Sequence, residues 1–212
     1  MTVLNQKSNM GPKARREREK EHLRQEILDA ARELFANEGY ENVTMRRIAE
    51  KIEYSPTTIY LYFEDKTELF FAICEETFAT LARQLGAIAE ECNDPVERLY
   101  IGCRSYVDFG LKHPNHYKLT FINHPHLAGK KEHYLREDSE GMRAFSHMQQ
   151  RVQECIDQQK LRETDAQAVA QMLWAIIHGV TSLLITKPDF PWVDRDKLVD
   201  LTIHTAIDGL LV

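Results

Sequence analysis

No stretch of this chain alternates apolar and polar residues with a period of two; its apolar residues recur instead at three- and four-residue intervals. That pattern excludes a half-buried sheet and predicts an all-α fold. A sandwich or barrel would also need many turns, and 9 Gly and 7 Pro in 212 residues supply few. Where each stripe stops, capping chemistry stands in its place. Leu23, Ile27, Ala30, Ala31, Leu34 and Phe35 form one helical face, ended by Gly39. Thr44 caps a short helix over 45–52, with Ile48, Ala49 and Ile52 turned inward. Ser55-Pro56 opens another over 56–62, which buries Ile59 and Phe63. Asp65-Lys66-Thr67-Glu68 has capping-box spacing and opens a long helix reaching 91.

Asn93-Asp94-Pro95 breaks that helix, and Asp94, Pro95 and Glu97 start the next, which ends at His113-Pro114. A short helical piece over 115–121 leads into a loop over 123–131. The positions of Met142, Phe145, Met148, Val152, Cys155 and Ile156 predict a helix over 132–159. Thr164-Asp165 starts a helix to 186, stopped by Lys187-Pro188, and Asp194 caps a last one to 210. About nine helices with short connections are expected.

Hydrophobic residues make up 43% and charged residues 28%, the balance of a soluble globular chain. Cys74, Cys92, Cys103 and Cys155 lie far apart, with no C-x-x-C pair, which suits a reducing cytoplasm and no zinc ribbon. Residues 1–24 carry no signal-peptide core. The longest apolar stretch, 173–184, is interrupted by His178, Gly179, Thr181 and Ser182, so no bilayer span and no membrane partner are expected. The net charge is −6, yet the first 24 residues hold seven Lys/Arg against three Glu. A basic arm on an acidic body is either a solvated tail or a DNA-contacting segment.

Two short helices joined by a tight turn, behind a longer packing helix, form a helix-turn-helix pattern, which puts its second helix into the DNA major groove. The residues that fill it are Ile27-Leu28-Asp29-Ala30-Ala31-Arg32-Glu33-Leu34-Phe35, Gly39-Tyr40, Val43-Thr44-Met45-Arg46-Arg47-Ile48-Ala49, and the run from Ser55-Pro56-Thr57-Thr58-Ile59-Tyr60 to Leu69. Over about 24–72 they resemble the TetR family of bacterial transcriptional regulators. One position departs: the family usually has glycine in the turn, and this chain has Glu53. A side chain in the left-handed conformation costs on the order of 1 kcal/mol, so the turn is either remodelled or strained.

The resemblance implies that Thr44, Ser55, Tyr62 and Lys66 meet phosphates. Arg46 aligns with a residue that can reach a base edge, where a guanidinium pairs bidentately with guanine. Pro56, Thr57 and Thr58 open the recognition helix and suit thymine methyls; Tyr60 is part core, part DNA contact. Beyond residue 72 the likeness thins. Trp174 to Gly179, containing His178, is similar to a carboxy-terminal subgroup marked by a Trp-His-Gly signature. Trp174 and His178 lie one turn apart, and serve either packing and a dimer seam or the wall of a ligand pocket.

An effector site is expected among Tyr106, Phe109, Tyr117, Phe121, Met142, Phe145, Met148 and Trp174, with His147 or His178 as polar groups. Core packing is the ordinary explanation of the same residues. The helices over 165–186 and 194–211 carry apolar residues on more than one side, including Met172, Ile176, Val180, Leu183 and Ile203, which suits a four-helix seam between two copies. His113, His116, His124, His126 and His133 span a proline break and a loop rather than one helical face, so no metal site is expected. No H-E-x-x-H, G-x-S-x-G, P-loop or dinucleotide fingerprint occurs, so catalytic residues and cofactors are expected to be none.

The resemblance thus implies a basic flexible arm over 1–22, a helix-turn-helix domain over 23–68 and an effector-binding and dimerisation domain over 69–212. Its expected partners are double-stranded DNA with a palindromic operator, a second copy, and a small, mostly apolar effector that releases a repressor from DNA. A helical adaptor without DNA binding and a helical-bundle enzyme are the alternatives.

Overall fold

The computed structural model describes residues 11–122 and 138–212. Among them are nine α-helices: α1 (Pro12–Glu38), α2 (Met45–Lys51), α3 (Pro56–Tyr60), α4 (Lys66–Glu91), α5 (Pro95–Lys112), α6 (Pro114–Tyr117), α7 (Glu140–Asp157), α8 (Ala166–Thr186) and α9 (Arg195–Asp208). A 3-10 turn, Tyr40–Asn42, follows α1, and α6 runs into a π-helical turn, Lys118–Ile122. Within the described residues the only β-pairing is an isolated bridge between Leu161 and Leu211. The all-α reading holds.

The caps explain most boundaries. Thr44 accepts from the Arg47 N–H at 3.1 Å, Ser55 from Thr58 at 3.2 Å and Asp94 from Val96 at 2.8 Å. Asp165 and Asp194 do the same for α8 and α9. Three boundaries in particular differ from expectation. Helix α1 runs back to Pro12, through residues placed in a flexible arm, because a proline at the first helical position starts a segment rich in good helix formers. Helix α3 ends at Tyr60 rather than 62; the Leu61 and Tyr62 N–H groups bond to the Thr58 and Ile59 carbonyls, three residues back. Helix α7 begins at Glu140 under a Ser139 cap that accepts from Met142. The remainder of the expected 132–159 helix, with the 123–131 loop, falls on 123–137, outside the described residues. The 173–184 stretch belongs to a 21-residue helix, α8, long and apolar enough by length and composition to cross a membrane. Its Ala170, Leu173, Ile177 and Leu184 are buried among α5, α7 and α9, which makes it a core helix.

The chain divides into two compact units, Met1–Phe70 and Phe71–Val212. In the first, α2 packs on α1 and α3, around Ile27, Ala31, Leu34, Phe35, Ile48, Ala49 and Ile59. Phe35, Tyr40 and Phe70 close this core with ring centroids 5.3–6.2 Å apart. In the second, α8 is the central helix, packed on α5, α7 and α9. Gly110 on α5 is required there: a Cβ would meet Thr181 Cγ2 at 2.5 Å and Tyr117 Cδ2 at 2.8 Å.

The α2–α3 turn resolves the Glu53 question in favour of strain. Glu53 has φ 61°, in the left-handed region. The Tyr54 N–H bonds to the Ala49 carbonyl at 3.0 Å and the Glu53 N–H to Glu50 at 3.3 Å. That is the double closure of a helix C-terminus which glycine ordinarily serves. Glu53→Gly should therefore stabilise the first unit by about 0.5–1 kcal/mol and raise its melting temperature by a few degrees, read by thermal denaturation. An unchanged or lower melting temperature would show that the glutamate carries no strain.

Candidate functional site

The helix-turn-helix presents the expected residues unevenly. The Arg46 side chain is 80% exposed on α2 and pairs with Glu50 one turn on, Nε to Oε1 at 2.9 Å. Such an exposed pair is worth a few tenths of a kcal/mol and yields readily to a better partner. Thr57 and Tyr60 project from α3, Tyr60 at 54% exposure. Thr58, Pro56 and Tyr62 are half-buried. Ser55 Oγ and Thr58 Oγ1 lie 2.9 Å apart at the start of α3, and Thr44 is exposed at the start of α2. Lys66, half-buried as well, is held in place. Its Nζ donates to the Tyr40 carbonyl at 2.8 Å and sits 4.2 Å from the centre of the Tyr40 ring. It ties the start of α4 to the turn after α1, a job the sequence alone did not suggest.

The second unit gathers six of the ten expected effector residues. Trp174 Nε1 donates to the Tyr106 hydroxyl at 3.2 Å, the Tyr106 and Tyr117 hydroxyls lie 3.0 Å apart, and Tyr117 Oη is 2.6 Å from His178 Nδ1. Burial pushes the Tyr106 hydroxyl up to about 12 and that of Tyr117 higher still, while it holds His178 below the ordinary imidazole value. Both phenols are thus protonated and the imidazole neutral near pH 7. The indole N–H can only donate, so Tyr106 accepts from Trp174, while the two phenols and His178 Nδ1, with Tyr106 Oη also 3.3 Å from it, form one connected network whose directions are set by the imidazole tautomer. Phe121 covers this relay, 4.7 Å from the Tyr117 ring and 6.0 Å from that of Tyr106, and Phe145 meets Trp174 at 6.1 Å.

The other four do not join it. Phe109 pairs with His113 at 5.2 Å, Met148 is buried in the core and Met142 is 36% exposed. His147 lies beside Gly86 of α4, and its ring is held below the usual value by burial and then by Arg151 and Arg143. Sequence reasoning passed over two neighbours. Phe78, half-buried against the core on α4, stands edge-on to Phe121 at 5.3 Å. Arg151 is buried on α7, against Gly102, and donates to the Leu85 carbonyl of α4. Both occupy inward positions of their helices, so periodicity could have marked them; the charge of Arg151 hid it. Among the described residues no group of three or more His, Cys, Asp or Glu comes together to hold a metal; His124, His126 and His133 lie outside them.

Helix α8 has a second, open face. Met172 and Leu183 are exposed, Ile176 and Val180 half-buried, and nothing stands within 4 Å of a Cβ placed on Gly179. On α9, Leu201 is 62% exposed as well. Ile203 does not join them. At 3% exposure it faces the protomer's own core, the side of α9 that packs on α8 and α5. Trp174 and His178 point away from the open face, into the relay.

Comparison with known proteins places these features. Residues 27–73 match the family model described as "Bacterial regulatory proteins, tetR family". Residues 99–206 match one described as "Tetracyclin repressor-like, C-terminal domain", a description that does not name the Trp-His-Gly subgroup. The chain is 46% identical over 59 residues to the HTH-type transcriptional repressor AcnR of Corynebacterium diphtheriae, a match covering 28% of this chain and 31% of that protein. The chain thus spans under a third of AcnR. Among solved structures, FadR from Bacillus subtilis in complex with stearoyl-CoA superposes with a TM-score of 0.76 at 18% identity, over 88% of this chain and 98% of that one. AibR in complex with isovaleryl coenzyme A and operator DNA gives a TM-score of 0.70 at 20% identity, over 86% and 96%. At these identities the two likenesses establish the fold.

Proposed function

Because the chain belongs to the TetR family of bacterial regulatory proteins, we propose that it is a cytoplasmic, homodimeric transcriptional repressor, released from a palindromic operator by a small, mostly apolar ligand. The observation that carries the DNA half is the capped pair α2 and α3 across the Glu53 turn, with Arg46, Thr57 and Tyr60 exposed. Residues 23–68 would bind DNA and 69–212 the effector and the partner copy. Thr44, Ser55, Tyr62 and Lys66 would meet phosphates, Pro56 and Thr58 would shape the base-facing start of α3, and Arg46 would read a base. Repression is supported by the name of AcnR.

The effector half rests on the relay. Two buried hydroxyls and an imidazole set among Phe121, Phe145 and Trp174, which can exchange bonds with one another for bonds to a guest, suit a ligand with a long apolar part and one polar group. The acyl-CoA ligands named for FadR and AibR make an acyl thioester the class to test first. Helix α4 offers the route of the signal, since it is continuous from Lys66 to Glu91 and Arg151 grips its Leu85 carbonyl. Titrating a protein–DNA complex with stearoyl-CoA and isovaleryl-CoA should weaken DNA binding roughly 5–150-fold, and bound DNA should weaken the ester by the same factor. A thioester that binds free and DNA-bound protein equally would remove the effector role from this class.

A further inference from the structure

Helix α1 begins at Pro12, but its first buried residue is Ile27. At about 1.5 Å per residue, some 22 Å of helix extend beyond the residues that anchor it. Its charges are sorted by face. Lys13, Arg16, Lys20 and Arg24 follow one another at three- and four-residue steps, and the same row continues into Ile27, Ala31 and Leu34, all buried. The row therefore lies on the side of α1 that carries the rest of the helix-turn-helix, not on its solvent side. Arg24 marks this directly: its guanidinium carbon is 5.3 Å from the centre of the Phe63 ring, just beyond α3.

On the other faces the charges are taken up locally. Arg15 pairs with Glu19 at 2.7 Å, His22 lies 3.3 Å from Glu26, and Arg18 donates to the Ala14 carbonyl at 3.4 Å. Lys13, Arg16 and Lys20 are exposed and have no ion pair among the described residues, although Glu17 borders the row. A membrane-surface helix would need an apolar face here, and this segment has none. Cations repeating about every 5–6 Å along a helix suit a polyanion of regular charge, and duplex DNA offers one charge per ~1.7 Å of its axis.

We infer that Lys13, Arg16 and Lys20 form a second DNA-contacting surface, a basic stripe that lies along phosphates flanking the site held by α2 and α3. The inference rests on the DNA-binding function proposed above and extends it. These contacts carry no base information, so they lengthen the footprint and raise affinity without changing the preferred sequence.

The test is fluorescence anisotropy with the full chain and duplexes selected for binding, either trimmed to the site or carrying ten flanking base pairs at each end. K13A/R16A/K20A should lower the slope of log K against log salt by about 2.7 per protomer, one phosphate contact being worth about 0.9. The loss should be equal on selected and scrambled duplexes. R15A/R18A, on the opposite side, should leave the slope near that of the unmodified protein. Trimming should weaken the unmodified protein and leave the triple variant unaffected. A triple variant with the original slope would overturn the stripe while leaving the helix-turn-helix reading intact. Equal losses in both variants would show that total charge, not this face, is felt. Failure of the unmodified protein to bind any duplex would instead sink the DNA-binding function and the stripe with it.

Discussion

L183D/L201D should convert the protein to a monomer and cost it about 10²–10⁴-fold in affinity for a palindromic site. Leu183 and Leu201 are 48% and 62% exposed on α8 and α9, which pack together in the second unit, and half-buried Ile176 and Val180 share the Leu183 side of α8. Large apolar side chains left open on helices that pack together mark a contact with another chain. A two-fold partner would cover them, with α8 and α9 of each copy forming a four-helix seam. The neighbour-free Gly179 would let the facing helix approach closely. One recognition helix grips a single half-site, and linking two makes the second contact effectively intramolecular, which is the source of the large factor. Because both leucines already face solvent, the variant should keep its helical content. Sedimentation and anisotropy read the two halves of the result. An unmodified protein that is monomeric at micromolar concentration would rule out the seam.

The second large effect separates two cations of the first unit. Arg46→Ala should cost about 1–3 kcal/mol of binding and relax the preference at one base pair per half-site, since a guanidinium pairing with guanine carries sequence information. Lys66→Ala should weaken binding on all duplexes alike and reduce the salt slope by about one. Lys66 also donates to the Tyr40 carbonyl, so its loss should destabilise the free protein by about 1 kcal/mol. Arg46, paired with Glu50 at the surface, should leave stability nearly untouched. Competition binding against a panel of single-base variants, with thermal denaturation of the free proteins, distinguishes them. If Arg46→Ala kept both affinity and preference, Arg46 would not be a base reader.

The residue types at helix ends made most of the fold readable in advance. Thr44, Ser55, Asp94, Asp165 and Asp194 are short polar side chains that satisfy free N–H groups, and each caps the helix expected of it. The clustering of aromatic residues points to Tyr106 and Tyr117, and the Trp-His-Gly resemblance to Trp174 and His178, but neither gives their hydrogen bonds, which depend on how α5, α6 and α8 meet. Ile203, expected among the residues of a seam, lies in the protomer's own core, because an apolar residue says that it is covered, not by what. Arg151 stands at an inward position of α7 that periodicity marks, but its partner is a carbonyl 66 residues away, which no local pattern announces. The amino-terminal segment looked like an arm because it lacks apolar residues, yet Pro12 and good helix formers suffice to continue α1 without a core.

The central claim is that α2 and α3 read a defined sequence in two symmetric copies. Selection of duplexes bound by the full chain from a random pool tests it most directly. Enrichment of a palindrome whose half-sites lie about one helical turn of DNA, or a multiple of it, apart is the expected result. A pool that stays random through successive rounds would contradict sequence-specific binding, and enrichment of a single asymmetric half-site would contradict the dimer.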